Sequence, residues 1–173
     1  MANAETPPGL PDLLEPGLRA IFCGLNPGMR AAASGHHFVG RQNRFWSVMH
    51  LAGFTPMLVD ALDDRSFLEY GYGLTTVVAR ATVSAVEVAR DEYVSAGDTL
   101  ARKIERLRPR AVGFLGKAAY TAIAGRSVVD WGKQAETFGG SVAWILPNPS
   151  GLNRGFSLDA LVEHYGQFRK SLG

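Results

Sequence analysis

Two short apolar runs in this chain each end in a turn rich in asparagine, proline and glycine. The first, residues 20–23, leads into residues 24–28, which read Gly-Leu-Asn-Pro-Gly. The second, residues 142–146, leads into residues 147–154, which read Pro-Asn-Pro-Ser-Gly-Leu-Asn-Arg. A short apolar run closed by turn residues is typical of a buried strand. We therefore expect two buried strands, each delivering an asparagine to a turn.

Helical patterns separate these strands from other apolar runs. We predict strands at 19–24, 73–78, 111–115 and 142–146, and helices at 44–52, 63–70, 96–107, 118–124 and 157–172. The segments 29–42, 131–134 and 139–140 are predicted to be loops or turns, and residues 79–92 favour no single period. Strands alternating with helices predict a three-layer α/β/α domain with a central, mostly parallel, four-stranded sheet.

The topology places the two asparagine turns together. In sheets of this kind ligands bind outside the carboxyl ends of the strands. Asn26 and Asn148 both follow such ends. If the two strands are parallel, both turns lie at one edge of the sheet, where we predict a single site.

Composition sets the class of protein more than its partner. The length of 173 residues suits one domain, at residues 19–173, preceded by a proline-containing N-terminal extension at residues 1–18. Hydrophobic and charged contents of 46% and 20% are ordinary for a globular protein, and no apolar run has the length of a membrane span. The single cysteine, Cys23, suits a reducing compartment, so we expect a cytoplasmic location. We also expect a monomer. Arginine dominates the cations, which favours nucleic acid slightly, but a genomic preference for arginine codons explains it equally well.

Several motifs occur in an order that resembles a known family. Besides the two asparagine turns, the chain contains Asn-Arg-Phe-Trp at 43–46, Ala-Gly-Phe at 52–54, Gly-Leu-Thr at 73–75, Leu-Gly-Lys at 115–117 and Trp-Gly-Lys-Gln at 131–134. Over residues 14–168 the chain resembles the mismatch-specific uracil-DNA glycosylases, relatives of thymine-DNA glycosylase in the uracil-DNA glycosylase superfamily. The resemblance implies that double-stranded DNA with a G:U mismatch is the partner, and that flipped uracil is the substrate.

The resemblance also implies roles for the residues of the predicted pocket. Asn26 would orient the attacking water and Asn148 would donate to a uracil oxygen, although turn geometry alone also explains an asparagine before proline. Phe38 would stack on the base, backbone N–H groups of Leu25 and Phe38 would bond its oxygens, and Thr76 would limit the width of the pocket. A neutral amide is a poor general base, so we expect slow turnover.

DNA contacts are expected from the second turn and from nearby cations. By resemblance, Leu152 would be a wedge that fills the gap left by the flipped base, and Gly151 and Asn153 would bond the unpaired guanine. Candidates for phosphate contact are Arg154, Lys117, Arg41 and Arg44. For each cation separately, a solvated surface charge is the simpler explanation.

The sequence also contains candidate residues for carboxylate, metal and nucleotide chemistry. Asp91, near Glu87 and Glu92, is a candidate catalytic acid, although an exposed residue near a helix start explains it as well. His36 and His37 lack other clustered ligands, so we expect no metal and no cofactor. Lys117 lacks the upstream glycine and following Ser or Thr of a P-loop. No lysine occupies the place of a Schiff-base nucleophile, so we expect a monofunctional enzyme.

Two other functions stay open at this point. One is a non-catalytic module that recognises mismatched DNA with the same pocket and wedge, which the weak basicity of Asn26 allows. The other is an α/β enzyme that acts on a small nucleoside or phosphosugar.

Overall fold

The computed structural model describes residues 9–173, which form one five-stranded sheet. The strand order is β2-β1-β3-β5-β4. The first four of these strands are mutually parallel, and β4 runs antiparallel to β5 at one edge. The strands are β1 (Ala20–Gly24), β2 (Tyr72–Thr76), β3 (Ala111–Leu115), β4 (Gly132–Phe138) and β5 (Ser141–Leu146).

Five α-helices and two 3₁₀ segments connect the strands. The helices are α1 (Met29–Ser34), α2 (Phe45–Leu51), α3 (Arg90–Leu107), α4 (Lys117–Ala124) and α5 (Leu158–Ser171). The 3₁₀ segments are Ala61–Tyr70 and Ala85–Glu87. Within residues 9–173, no helix is both long enough and apolar enough to cross a membrane.

The sheet is the middle of three layers, as the sequence predicts. On one face α2 and α5 pack over Phe22, Leu74 and neighbouring apolar side chains. On the other face α3 and α4 pack over Ile21, Cys23 and Val112. Both faces are apolar because side chains alternate across each central strand while helices cover the sheet from both sides.

The parallel strands end along one edge and so define the place of a site. β1 and β2 end together, with Gly24 paired to Thr76, and β3 and β5 end together, with Leu115 paired to Leu146. The chain leaves β1 toward β2 on one side, while β3 lies on its other side. Such a reversal of direction opens a crevice at the carboxyl ends of the strands.

The structure corrects three predicted elements. The sheet has five strands rather than four, because Gly132–Phe138 form the edge strand β4, where the sequence predicted a loop at residues 131–134 and no strand. Residues 29–34, expected to be irregular, form α1, and α3 begins at Arg90 rather than near residue 96. β4 is mostly exposed and polar, so its sequence lacks the apolar pattern of a strand, and pairing with β5 determines its conformation.

The N-terminal segment is attached to the domain. Residues 1–8 of the predicted extension lie outside the described residues. Leu13 pairs with Leu74 of β2 in an antiparallel bridge, and Leu13 and Leu18 are buried. Residues 11–18 therefore contribute to the same core as the sheet.

Candidate active site

A cavity of about 160 Å³ opens at the carboxyl edge of the sheet. Gly24, Thr76 and Leu115, each at the end of a strand, contribute to its lining. The lining thus brings together six residues that the sequence predicts for the site, namely Leu25, Asn26, Phe38, Thr76, Asn148 and Leu152. A volume of this size holds on the order of ten water molecules, which suits one small ring rather than an extended ligand.

Among residues 9–173, the side-chain amide of Asn26 is held through its nitrogen, and its oxygen accepts no hydrogen bond. Its Nδ2 donates to the carbonyl oxygen of Arg80 at 2.9 Å and to Oγ1 of Thr82 at 2.8 Å. The Thr82 hydroxyl donates its own proton to the carbonyl of Ser84 at 2.8 Å, so toward Asn26 it acts as an acceptor. Both neighbours therefore select the amide nitrogen of Asn26, which leaves its Oδ1 as a hydrogen-bond acceptor for the cavity.

The side-chain amide of Asn148 is held through its oxygen rather than its nitrogen. Its Oδ1 accepts from the backbone N–H of Ser150 at 2.9 Å. Among residues 9–173, no acceptor lies within hydrogen-bond distance of its Nδ2. The cavity therefore has an acceptor from the first turn, held by contacts to residues 80 and 82, and a donor from the second turn, held by a contact within that turn.

Gly116 shows how closely the two turns approach each other. It follows β3 with φ of +115°, and a Cβ there would lie 3.6 Å from Cδ1 of Leu25 and 3.9 Å from Cβ of Asn148. Its N–H donates to the carbonyl of Leu146 at 2.7 Å. Glycine adopts this φ without strain, so the chain passes between the two turns at the end of β3.

No carboxylate lines the cavity within the part of the chain that the structure describes; Arg30 is the one Asp, Glu, Lys or Arg residue in the lining. Asp91 is exposed in the first turn of α3 and is not part of the lining. Of its neighbours, Glu92 pairs with Arg80 at 2.9 Å, and Glu87 accepts from the N–H of Ser84 at 3.1 Å. The structure therefore does not bring Asp91 to Asn26, because the helix start that exposes it faces solvent.

Phe38 forms an aromatic wall of the cavity. Its ring stacks on that of Phe45, with centroids 3.9 Å apart and planes inclined by 17°. Its φ is +56°, a left-handed conformation that is uncommon outside glycine. A backbone in this conformation persists where surrounding contacts fix it.

The contacts that fix this backbone are made by His37, the residue before Phe38. Its N–H donates to Oδ2 of the buried Asp64 at 2.8 Å, and its carbonyl accepts from Nε1 of Trp46 at 3.1 Å. Its ring Nε2 donates to the carbonyl of Pro11 at 2.8 Å. Burial lowers the pKa of His37, so its ring is neutral near pH 7. Among residues 9–173, no group of three or more His, Cys, Asp or Glu is arranged to hold a metal ion.

Leu152 stands at the mouth of the cavity, in the segment 147–157, here called the leucine loop. Leu152 is 69% exposed although it contributes to the lining of the cavity. Gly151 packs so tightly on the neighbouring loop that a Cβ there would lie 2.6 Å from the carbonyl oxygen of Gln42. Nδ2 of Asn153 donates to the carbonyl of Asn148 at 3.0 Å. The leucine is thus presented by a braced loop.

Arg44 fixes the leucine loop through its guanidinium group. The group donates to four carbonyl oxygens of the loop at 2.6–3.3 Å, those of Pro149, Ser150, Asn153 and Phe156. All three guanidinium nitrogens are engaged in this way. Because four of its five N–H groups bond within the protein, we infer a structural role for Arg44 in place of the predicted phosphate contact.

The other three predicted phosphate contacts lie outside the cavity. Arg41 is exposed in the segment before α2. Nζ of Lys117, at the first residue of α4, lies 4.6 Å from the centroid of the Trp131 ring. Arg154 is exposed in the leucine loop. None of the three residues lines the cavity.

Comparison with known proteins identifies the family. The family model of the uracil DNA glycosylase superfamily matches residues 11–170. This chain belongs to the uracil DNA glycosylase superfamily. The fold is also similar to the solution NMR structure of a candidate uracil DNA glycosylase from Methanosarcina acetivorans, with a TM-score of 0.64 and 20% identity over 95% of this chain and 97% of that chain. Membership of the superfamily implies hydrolysis of the glycosidic bond of uracil in DNA.

The sequence did not reveal two residues that shape this glycosylase site. Thr82 orients the Asn26 amide, and Asp64 anchors the backbone before Phe38. Neither belongs to a motif, and both act on residues far away in the chain. The sequence offers only a general signal for such residues, because a carboxylate or hydroxyl that becomes buried must form a hydrogen bond.

Replacing Arg44 by lysine tests its structural role in this glycosylase fold. A lysine ammonium keeps the charge but cannot span four carbonyl groups, and hydrogen bonds from charged donors are worth about 1.5–3 kcal/mol. We expect Arg44→Lys to lower the free energy of unfolding by about 1–3 kcal/mol in urea denaturation. Unchanged stability combined with weaker DNA binding would instead return Arg44 to the phosphate contacts.

Proposed function

We propose that this chain is a monofunctional glycosylase that removes uracil from G:U mismatches in duplex DNA and leaves an abasic site. One observation carries the proposal: a single cavity has the acceptor Oδ1 of Asn26 and the donor Nδ2 of Asn148 on opposite turns, with the exposed Leu152 at its mouth. Hydrolysis of the N-glycosidic bond of uracil needs a hydrogen-bond acceptor for the attacking water and a hydrogen-bond donor for the departing base.

The chemistry divides between the two asparagines. Water attacks the anomeric carbon while the bond to N1 of uracil breaks, the base leaves as an anion, and the proton lost by the water passes to bulk solvent. Oδ1 of Asn26 accepts a hydrogen bond from that water and so aims its lone pair at the sugar. Nδ2 of Asn148 donates to a uracil oxygen and stabilises the charge that develops there. Because an amide takes up a proton poorly, the reaction is slow compared with one assisted by a carboxylate.

Entry of the base requires extrusion from the duplex. Unstacking and unpairing cost a few kcal/mol, least for a base in a mismatch, which favours G:U over A:U pairs. Phe38 provides a stacking surface for the uracil ring, and Leu152 fills the vacated place in the stack. Since the Asn153 amide braces the leucine loop, contacts to the unpaired guanine fall to backbone groups of that loop.

A base-release assay tests the proposal. Labelled duplexes carrying G:U, A:U, G:T or an etheno-cytosine pair are incubated with excess protein, and free base and alkali-labile sites are measured. We expect release of uracil, fastest from G:U, and a strand that stays intact until alkali is added. Strand cleavage without alkali would contradict the monofunctional assignment.

A non-catalytic mismatch-recognition module is the second candidate, favoured by the lack of a carboxylate in the described lining of the cavity. It predicts a band shift on G:U duplex without release of base under single-turnover conditions. The same assay separates the two functions, since only the glycosylase produces free uracil. An absence of any interaction with duplex DNA would exclude both.

Truncation of the wedge should impair duplex substrates selectively. Leu152→Ala removes apolar groups that offset the loss of stacking, at about 0.8 kcal/mol per CH₂. We expect the single-turnover rate on G:U duplex to fall roughly ten- to hundredfold, while release from single-stranded uracil DNA changes little.

Leu62→Ala is the matched control for the wedge. Leu62 is 64% exposed, close to the 69% of Leu152, and lines no part of the cavity. It should leave both rates unchanged. If Leu152→Ala behaved like Leu62→Ala on the G:U duplex, the wedge assignment would be wrong.

A further inference from the structure

The side chain of Arg80, the residue whose carbonyl orients the Asn26 amide, is held from α3. Its guanidinium group donates to both carboxylate oxygens of Glu92, with Nε 2.9 Å from Oε1 and Nη2 3.0 Å from Oε2. Nη2 also donates to the carbonyl oxygen of Glu87 at 3.3 Å. A bidentate pair of this kind restrains the direction of the guanidinium group as well as its distance. The pair therefore restrains the position of residue 80.

Glu92 is itself fixed at the start of α3. Its Oε2 accepts from the backbone N–H of Ala89 at 2.8 Å, in the first turn of an 18-residue helix. A carboxylate is favoured there because the first N–H groups of a helix have no partner within it. The hydrogen bond from Arg80 lowers the pKa of Glu92, and the same bond raises the pKa of Arg80. Both side chains are therefore charged at neutral pH.

The backbone around residue 80 has few other restraints. The N–H of Val78 donates to the carbonyl of Leu25 at 3.0 Å, and the N–H of Thr82 donates to the carbonyl of Pro27 at 3.1 Å. Between these two anchors, residues 79–81 make no backbone–backbone hydrogen bond within the described chain. A shift of residue 80 would therefore move its carbonyl, which accepts from Nδ2 of Asn26 at 2.9 Å, and with it the direction of the Asn26 Oδ1.

We propose that Glu92 is a positioning residue for hydrolysis, which acts on the Asn26 amide through Arg80. This inference rests on the proposed function, in which Oδ1 of Asn26 orients the attacking water. Neither Glu92 nor Arg80 lines the cavity, so the effect is indirect. The sequence indicates Asp91 as an acid that acts directly, whereas the contacts favour its neighbour in an indirect role.

Glu92→Gln tests this role. Glutamine keeps the length of the side chain and one oxygen for the N–H of Ala89, but it cannot accept from Arg80 with two charged oxygens. Because a misplacement of about 1 Å costs about a hundredfold in rate, a partial release of residue 80 should lower the single-turnover rate on G:U duplex roughly three- to thirtyfold. DNA affinity and the midpoint of thermal unfolding should change little, since an exposed ion pair contributes little to stability. An unchanged rate would overturn the proposal.

A double-mutant cycle with Asn26 separates positioning from a general structural effect. If Glu92 acts only through the Asn26 amide, Glu92→Gln should have no further effect on the residual rate of Asn26→Ala. A carboxylate that supported the fold or the binding of DNA would instead slow Asn26→Ala by the same factor as wild type. Equal factors in the two backgrounds would therefore contradict the assignment.

Glu136→Gln is the matched control. Glu136 accepts from Arg126 at 2.7 Å in a second exposed arginine–glutamate pair, and neither residue lines the cavity. The substitution changes the net charge as Glu92→Gln does, so it should leave the rate of uracil release unchanged. A loss equal to that of Glu92→Gln would show a diffuse effect of charge and would refute the positioning role.

The Asn26 amide can also be followed without activity. In ¹⁵N-labelled protein, its side-chain NH₂ resonances are identified by their absence from Asn26→Ala. Glu92→Gln should shift these resonances, because Nδ2 donates to the Arg80 carbonyl, and should leave those of Asn153 in place. Unshifted Asn26 resonances would overturn the proposal. A wild type that released no uracil, but whose Asn26 resonances responded to Glu92→Gln, would refute the proposed function alone.

Discussion

Asn26→Ala is expected to lower the single-turnover rate of uracil release from a G:U duplex by about a hundredfold or more, with little change in DNA affinity. The size follows from the loss of the group that aims the attacking water, because a misplacement of about 1 Å can cost about a hundredfold in rate. Affinity should persist because the substitution leaves the leucine loop, and the Arg44 contacts that hold it, unchanged. The amide contributes to the chemical step rather than to capture of the strand.

The competing explanation of Asn26 is that it only shapes its turn. Its amide does donate to the Arg80 carbonyl and to Thr82, so an alanine there removes contacts between the first turn and residues 80–82. Thermal unfolding and a salt titration of DNA binding accompany the rate measurement. Equal losses in rate, affinity and stability would show that Asn26 shapes the turn and does not orient the attacking water.

The pair formed with Leu152→Ala makes this test stronger. Loss of the wedge should slow the duplex reaction and spare the single strand, because it impairs extrusion. Loss of Asn26 should slow both substrates equally, because it impairs the step after extrusion. The two variants thus separate flipping from hydrolysis within one cavity.

The sheet and the two asparagine turns were predictable because local signals agree with tertiary structure there. A buried parallel strand must be apolar along its whole length, and the turn that ends it must contain residues that stop a strand. Residues 20–24 and 142–146 satisfy both conditions and lie in β1 and β5. Parallel pairing then requires that the loops carrying Asn26 and Asn148 lie at one edge.

The edge of the sheet was not predictable in the same way. Four of the seven residues of β4 are exposed, Lys133 and Glu136 among them, and only Phe138 is buried. Charged side chains on an edge strand protect it from pairing with other molecules, and they also hide it from a search for apolar periodicity. α1 was missed for a related reason, since its alanines favour a helix but its six residues show no amphipathic period.

The directions of the side chains could not be predicted from the sequence either. Arg44 precedes α2 in a motif suited to DNA contact, and only the fold shows that its guanidinium turns toward the carbonyl groups of residues 149–156. The reverse applies to Arg30, which no motif indicates and which α1 places at the mouth of the cavity. A linear sequence identifies the cations but not the partners that each one meets after folding.

Asn148→Asp is expected to lower the rate of uracil release by about 10²–10³-fold, the size found when one donor to a developing anion is removed. Aspartate keeps an oxygen for the N–H of Ser150, so the turn retains its shape. The second carboxylate oxygen then occupies the place of Nδ2 and faces the departing base with a negative charge. The variant therefore removes the donor and preserves the loop, which alanine would not do.

The leaving group decides between this role and a structural one. Fluorine at C5 of uracil withdraws electrons and stabilises the base anion, so 5-fluorouracil depends less on a donor from the protein. If Nδ2 of Asn148 stabilises the anion, the loss caused by Asn148→Asp should be several-fold smaller with 5-fluorouracil than with uracil in the same G-mismatched duplex. A residue that only shaped the turn would slow both substrates by the same factor, because the geometry of the leucine loop does not depend on the electronics of the base.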